Sequence, residues 1–301
     1  MDAYIISWFG KSAELRLKRQ GLHYRQLCCL LKQPGIENIH ILAMEYEDQR
    51  IITLPKDHLY FDHPRIHYHI SERVHPGQAR NKLMKVFNKT DKKWGLFMDN
   101  DAAIDPRFHG TDLITTIDAN ADYIAKRMEI ITFVSPRHEP FTEYLETNAE
   151  RLKTHLPLQK ANFLKTTAFL MKNRSAFGQE PVYFDDELDN MEDYEYIGRI
   201  LAAGGAMYKA RSAIMADLGI SETVSTLFTA GQEESRLSTY PVKRKILFDR
   251  YQPHGLTQSA NGNFNWSEIG NNKTLPKYFY VPVNGVGEPI EENTFGALFE
   301  A

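Results

Sequence analysis

The chain has 301 residues, 42% of them hydrophobic, and its 36 basic and 39 acidic side chains give a formal net charge of −3. That length buries a sizeable core as one large domain or two small ones, and the near-balance of charge excludes a generally cationic coat for nucleic acid while leaving room for a local basic groove. No apolar run approaches the roughly 20 residues of a membrane span. The start lacks the basic and long apolar parts of a secretory signal, and the two cysteines, Cys28 and Cys29, allow neither a disulfide framework nor a thiolate zinc site. The expectation is a cytoplasmic protein with no membrane span and with reduced, partly buried thiols.

In chain order, Tyr4 to Trp8 reads as a first strand, and Leu15 to Leu31 carries apolar residues at helical spacing up to a stop at Pro34-Gly35. Ile39 to Met44 and Arg65 to Ile70 are further strands. Pro76-Gly77 opens a helix through about Phe87, which leads into the apolar run Trp94 to Met98. This β-α-β alternation predicts a mainly parallel sheet with crossover helices. It places Asp99-Asn100-Asp101 at the carboxyl edge, where open α/β sheets bind ligands.

Tyr123 to Met128 and Ile130 to Val134 then read as strands, Glu139 to Lys160 as helix, and Phe163 to Met171 as a strong strand. Glu192 to Ala203 is an amphipathic helix closed by Gly204-Gly205. Beyond residue 220 the regular pattern fades, and Asn261-Gly262-Asn263, Gly270-Asn271-Asn272 and Asn284-Gly285 punctuate a loop-rich tail read as a lid or appendage.

The chemistry starts from Asp99 and Asp101. Carboxylate oxygens suit hard ions such as Mg²⁺ or Mn²⁺, although Asp and Asn also favour plain turns. Three pieces then line up: Gly77-Gln78-Ala79-Arg80-Asn81, the strand ending in Asp99-Asn100-Asp101, and Asn190-Met191-Glu192-Asp193 with Arg199 beyond. Their order and spacing resemble a GT-A-fold glycosyltransferase of the family-2 type over about residues 1 to 210. The resemblance implies an α/β, Rossmann-like fold with a mainly parallel central sheet flanked by helices and a loop-rich C-terminal extension. In domain terms, 1–215 would be catalytic (nucleotide-sugar half about 1–105, acceptor half about 106–215), with 216–301 an extension of the same globule.

The resemblance also implies roles. Asp101 would ligate the divalent metal, Mn²⁺ or Mg²⁺, and Asp99 would touch the ribose or reach the metal through water. Asp193 would be the base that deprotonates the acceptor, with Glu192 positioning the acceptor or exchanging roles with it. Arg80 would face the nucleotide, Asn81 would fix the adjoining loop, and Asn100 belongs to the same donor side. Glu45 matches an acid that faces the nucleotide base, or is a solvated strand end. Ser7 and Trp8 begin the first donor-side loop, but Ser7-Trp8-Phe9-Gly10-Lys11 departs from the family's proline- and asparagine-containing loop. His254 is the candidate third metal ligand. Against catalysis stands a capping alternative, since Asn190 can cap a helix whose first turn favours acids in any case.

The donor expected is a UDP-sugar and the reaction an inverting transfer to a hydroxyl. Lys82, Lys85, Lys89, Lys92 and Lys93, and Lys243-Arg244-Lys245 with Arg250, are basic clusters beside aromatic residues. The compact chain is also similar in style, without a residue signature, to bacteriophage glycosyltransferases that act on hydroxymethylcytosine or an already glycosylated base in double-stranded DNA. A phage enzyme would work in the host cytoplasm. Alternatives are a glycosyltransferase for a surface polysaccharide or oligosaccharide, a metal-dependent nucleotidyltransferase, and a non-catalytic sugar- or nucleic-acid-binding domain.

Overall fold

The computed structural model describes residues 1–10, 13–45, 63–104, 110–134, 154–161, 163–186, 188, 191–217, 230–260, 262–266, 268–283 and 289–292. The strands are β1 (Asp2–Ser7), β2 (Ile39–Met44), β3 (Ile66–Ser71), β4 (Trp94–Asp99), β5 (Ala102–Ile104), β6 (Ile130–Val134), β7 (His155–Lys160), β8 (Ala168–Lys172), β9 (Met207–Asp217), β10 (Thr257–Gln258), β11 (Phe264–Asn265), β12 (Tyr278–Pro282) and β13 (Ile290–Glu292). The helices are α1 (Ala13–Lys32), α2 (Pro76–Phe87), α3 (Gly110–Ala119), α4 (Ala121–Ala125), α5 (Glu192–Ala202) and α6 (Ala230–Tyr251).

One sheet runs in the order β13, β12, β7, β9, β6, β8, β4, β1, β2, β3, with β5 attached to β9. β3, β2, β1 and β4 are mutually parallel, and β8, inserted antiparallel between β4 and β6, begins the mixed half. Most strands on the path share one direction. β1 is buried along its whole length, the pattern of a central parallel strand covered on both faces.

Alternation along the strands divides the core in two. Trp94, Leu96 and Met98 of β4 pack with Leu27 and Leu30 of α1 and with Leu113, Ile114 and Ile117 of α3. Phe97 faces the other side with Leu83 and Phe87 of α2, Ile197 and Leu201 of α5, and Leu247 and Tyr251 of α6. Helices therefore cover both faces, and the carboxyl ends of the parallel strands stay open as an edge.

Several local expectations change. Residues 121–125 form helix α4 and not a strand, because Ala121, Ile124 and Ala125 are buried at helical spacing. Residues 155–160 are strand β7, buried at 156–158 and paired with β9 on one side and β12 on the other; the remainder of the expected helix from Glu139, residues 139–153, lies outside the described residues. Phe163 sits in a loop, and the strand after it starts at Ala168. Cys29 is exposed and Cys28 half-buried.

The tail is more regular than its sequence suggests. α6 is 22 residues long with Pro241 inside it, and β12, buried throughout, pairs with β7 in the main sheet. α6 shows little amphipathic signal because Val242 and Ile246 are exposed while Leu247 and Tyr251 are buried. Tyr251 packs so closely on α5 that a Cβ at Gly198 would lie 2.4 Å from its ring, which only glycine permits. Gly204, at φ +78°, ends α5 in the left-handed conformation expected of a helix stop.

Candidate active site

The parallel registers bring four strand ends to one edge. Ile6 pairs with Asp99, Ser7 with Ala43, and Met44 with Ser71, so Ser7, Glu45, Ser71 and Asp99 lie side by side. Ser7 and Trp8 are buried. Trp8 Nε1 donates to Glu45 Oε2 at 2.8 Å, and the Arg73 guanidinium lies 4.2 Å above the Trp8 ring. Glu45 adopts φ +50°, a strained setting for a residue with a Cβ.

The Asp-Asn-Asp turn is braced from beneath by α1. Gln26 Nε2 donates to the carbonyls of Asp99 and Ala102, both at 2.6 Å, and its own Oε1 lies 3.0 Å from His23 Nδ1. Burial lowers His23 to about 4, so it stays neutral in that bond. Arg19 Nη1 donates to Asn100 Oδ1 at 3.3 Å, and Arg19 Nη2 lies 3.5 Å from Asp101 Oδ2. Asn100 is 3% exposed and donates to the Trp8 carbonyl. The middle residue thus turns inward as a brace, away from the donor side the resemblance implied for it, and the two aspartates are left at the rim.

Arg80 joins this turn to the tip of α5. It is 4% exposed, so it is no surface cation of α2. Its Nη2 donates to Asp99 Oδ1 at 3.0 Å and to the Thr166 carbonyl at 3.3 Å, while Nη1 lies 3.5 Å from Glu192 Oε1 without a hydrogen-bond acceptor. Asn81 is likewise turned inward: it accepts from Phe184 N and donates to the carbonyl of Phe184 and to Asp186 Oδ1. It therefore fixes the segment that leads to α5.

The N-cap of α5 is Met191, buried, at φ +66°, and without a side-chain cap bond; Asn190 lies outside the described residues. Glu45 and Met191 are the two non-glycine residues with positive φ among the described residues, and both flank this site. Strain held in place by surrounding structure is a mark of functional geometry.

Charge at the site is unbalanced. The carboxylates of Asp99, Asp101, Glu192 and Asp193 face the guanidiniums of Arg80 and Arg19. Burial pushes Asp99 up to about 7, with Asp101 and Glu192 adding to the shift and Arg80 opposing it. Burial and then the neighbouring Glu192 push Asp193 up to about 7 as well, against a bond of 2.9 Å from the Tyr194 amide. An excess of hard oxygen donors at a strand end fits a divalent cation that takes few protein ligands and keeps positions for water and phosphate.

His254 does not join this set. It lies exposed on the turn after α6 with its ring against Tyr251. Tyr251 itself packs on Gly198, about 9 Å along α5 from Glu192 at 1.5 Å per residue. Among the described residues no group of three or more His, Cys, Asp or Glu forms a metal set, so Asp99 and Asp101 are the donors that the edge offers. An open hollow of about 580 Å³ bordered by Lys92, Lys93 and Asp122 lies at the opposite, amino edge, and its charges pair internally through Lys92–Glu37 and Lys93–Asp122.

Sequence reasoning missed Arg19, Gln26 and Arg73, and read Arg250 only as part of a basic cluster. Arg19, His23 and Gln26 are buried polar residues at i, i+4 and i+7 on one face of α1. That pattern was readable as a helix face turned toward a polar target.

Among the described residues no helix is long and apolar enough to cross a membrane. No protein-family model matches the chain, and no curated protein matches it. Solved structures do. A mannosyltransferase from Pyrobaculum calidifontis in complex with GDP-Man and Mn²⁺ is 10% identical over 74% of this chain and 58% of its own, with a TM-score of 0.46. S. aureus TarS 1–349 in complex with UDP-GlcNAc is 14% identical over 81% of this chain and 64% of its own, at 0.47. GalNAc-T7 with UDP, GalNAc and Mn²⁺ is 11% identical over 71% and 43%, also at 0.47. The chain thus spans less than two thirds of each, and at this distance the likeness decides nothing about chemistry.

Proposed function

We propose that this protein is a divalent-metal-dependent glycosyltransferase of the GT-A type that moves a sugar from a UDP-sugar to an acceptor hydroxyl with inversion. The observation that carries the reading is the convergence of two acidic tips, Asp99-Asn100-Asp101 and Glu192-Asp193, on one buried guanidinium, Arg80. Asp99 and Asp101 would hold Mn²⁺ or Mg²⁺, which supplies Lewis-acid neutralisation of the departing diphosphate.

The chain's own groups do the rest. Asp193 accepts the proton of the acceptor hydroxyl as that oxygen bonds to the anomeric carbon and the bond to the diphosphate oxygen breaks. A carboxylate raised to about 7 is matched to this task at neutral pH. Glu192 steadies the acceptor, and the buried Arg80 holds the two acidic tips together. Trp8, Glu45 and Arg73 form the wall beside the nucleotide.

Four of the nine cations in the basic clusters that suggested a DNA acceptor pair with carboxylates within the molecule. Arg250 pairs with Asp185 and Glu195, Lys245 with Asp249, Lys92 with Glu37 and Lys93 with Asp122. Cations already neutralised gain little from phosphates, which favours a saccharide acceptor over DNA.

The test is a melting screen of UDP, UDP-sugars and nucleoside triphosphates with and without Mn²⁺, since a ligand of the native state raises apparent stability. The expected result is Mn²⁺-dependent stabilisation by UDP and its sugars. Stabilisation by triphosphates alone would move the protein to nucleotidyl transfer.

A further inference from the structure

Beside Asp193 one exposed and two half-buried aromatic rings stand in a row. Phe163, 45% exposed, sits 5.5 Å from Tyr194 between ring centres, and Tyr194 sits 6.0 Å from Phe264 at an edge-on angle of 74°. The far end is closed by Arg244, whose guanidinium lies 4.4 Å above the Phe264 ring. An exposed ring continuous with two half-buried ones beside the candidate site offers an apolar surface for binding.

The row is continuous with the site. Tyr194 follows Asp193 in the first turn of α5. Burial, then the Asp193 carboxylate, raises the Tyr194 phenol, so its hydroxyl lies in the field of the candidate base. The loop carrying Phe163 is fastened to the metal turn through the Thr166 carbonyl, which accepts from Arg80, and the Thr167 carbonyl, which accepts from the Asp99 amide at 2.8 Å. Phe264 and Arg244 come from the C-terminal tail, which gives that tail a part in the site.

Resting on the reading of Asp193 as base, we infer that Phe163, Tyr194 and Phe264, with Arg244 at the end, form the acceptor platform for a pyranose ring of an oligosaccharide. A pyranose offers an apolar C–H face for the rings and equatorial hydroxyls for the Tyr194 phenol and the Asp193 carboxylate, which is the amphipathic match that a half-polar aromatic surface selects. A stacked nucleobase would use similar rings but also needs a basic groove to track its backbone. Here the neighbouring cations are committed: Arg250 to Asp185 and Glu195, Lys245 to Asp249, and Arg244 to the Phe264 face.

The experiment is saturation-transfer NMR of the full chain with malto-, cello- and chito-oligosaccharides and with a hydroxymethylated DNA duplex, repeated on Phe163→Ala and Phe264→Ala. At least one oligosaccharide should bind, with affinity falling about tenfold in each variant, equivalent to ~1.4 kcal/mol. If Phe264→Ala fails to fold, Phe163→Ala decides, because Phe163 is 45% exposed and lies outside the packed core. Absence of oligosaccharide binding, binding indifferent to Phe163, or binding of the duplex alone overturns the platform. UDP–Mn²⁺ melting of the unmodified chain reports the donor side separately. Oligosaccharide binding through Phe163 without a UDP response keeps the platform and removes the transferase reading; the reverse pattern keeps the transferase and removes the platform.

Discussion

Two charge clusters lie along helix α5, and they are built differently. At its tip, Glu192 and Asp193 join Asp99 and Asp101 in an acid excess that Arg80 and Arg19 only partly offset. Further along, Glu195, wholly buried, receives Arg199 Nε at 2.6 Å, Arg250 Nη1 at 2.7 Å and the Tyr251 hydroxyl at 2.9 Å, while Asp185 receives the same two arginines. In this second cluster two acids meet two guanidiniums. The hydrogen bond to Asp185, against the opposing cost of burial, holds Arg250 firmly charged. The second cluster is balanced in charge, with Glu195 Oε1 taking all three bonds while Oε2 is buried without one, and it acts as a brace between α5, α6 and the segment at Asp185. The first leaves its acids in excess, and burial raises Asp99 and Asp193 to about 7, a perturbation that marks a candidate functional site.

The largest expected effect separates the two at once. Asp193→Asn removes the base and leaves the brace intact, so transfer should fall by about 10²–10⁴ while UDP–Mn²⁺ stabilisation persists; steady-state rates and melting curves check the two halves. Unimpaired turnover would move the base elsewhere. Next, Glu195→Ala removes the anion on which the brace converges and should lower stability by about 3 kcal/mol in urea unfolding, the low end for breaking a buried pair because both arginines can turn to water. Asp101→Asn should weaken the Mn²⁺-dependent response to UDP at least tenfold, about 1.4 kcal/mol, with little change in the melting of the metal-free protein. Arg250→Ala leaves Arg199 on Glu195 and should cost only about 1 kcal/mol. A loss as large as that of Glu195→Ala would show that the two arginines do not share the load.

The last comparison is in pH, where the sign is what is predicted. Asp99 and Asp193 stand near 7 when folded and near 3.8 otherwise. The folded state therefore binds more protons between those values, and its stability should fall as pH rises from about 4 to 7. A divalent cation replaces the proton, so the stabilisation by Mn²⁺ should be larger at pH 8 than at pH 6, and Asp99→Asn should flatten both trends. Melting curves across that range check the sign. The buried His23, lowered to about 4, contributes in the opposite direction over the same range, so a pH trend that Asp99→Asn leaves unchanged would mean these carboxylates are already neutralised.

Much of the parallel half was legible. Apolar runs of strand length, Pro76-Gly77 at a helix start, and Asp99 directly behind Met98 give β1 to β4 and the acidic edge in order, because β1 and β2, and β3 and β4, are each joined locally through one helix. The acid pair at the start of α5 was equally visible. The mixed half was not. β12 earns its place only by pairing with β7, more than a hundred residues earlier in the chain, and α6 owes its position to Tyr251 on Gly198. Neither contact leaves a periodic trace. Likewise Asn100 and Asn81, which sit inside recognisable motifs, turn inward to hold Trp8 and Phe184.

By itself the sequence determined which residues carry charge chemistry, where the parallel strands end, and that hard oxygen donors stand at that edge, since each follows from local pattern and residue type. Only the tertiary structure decided which of those charges are neutralised. Arg80 reaches both acidic tips while Arg250 completes a brace, and that distinction depends on distances across elements far apart in the chain, within which Coulomb attraction and desolvation set the state of every carboxylate.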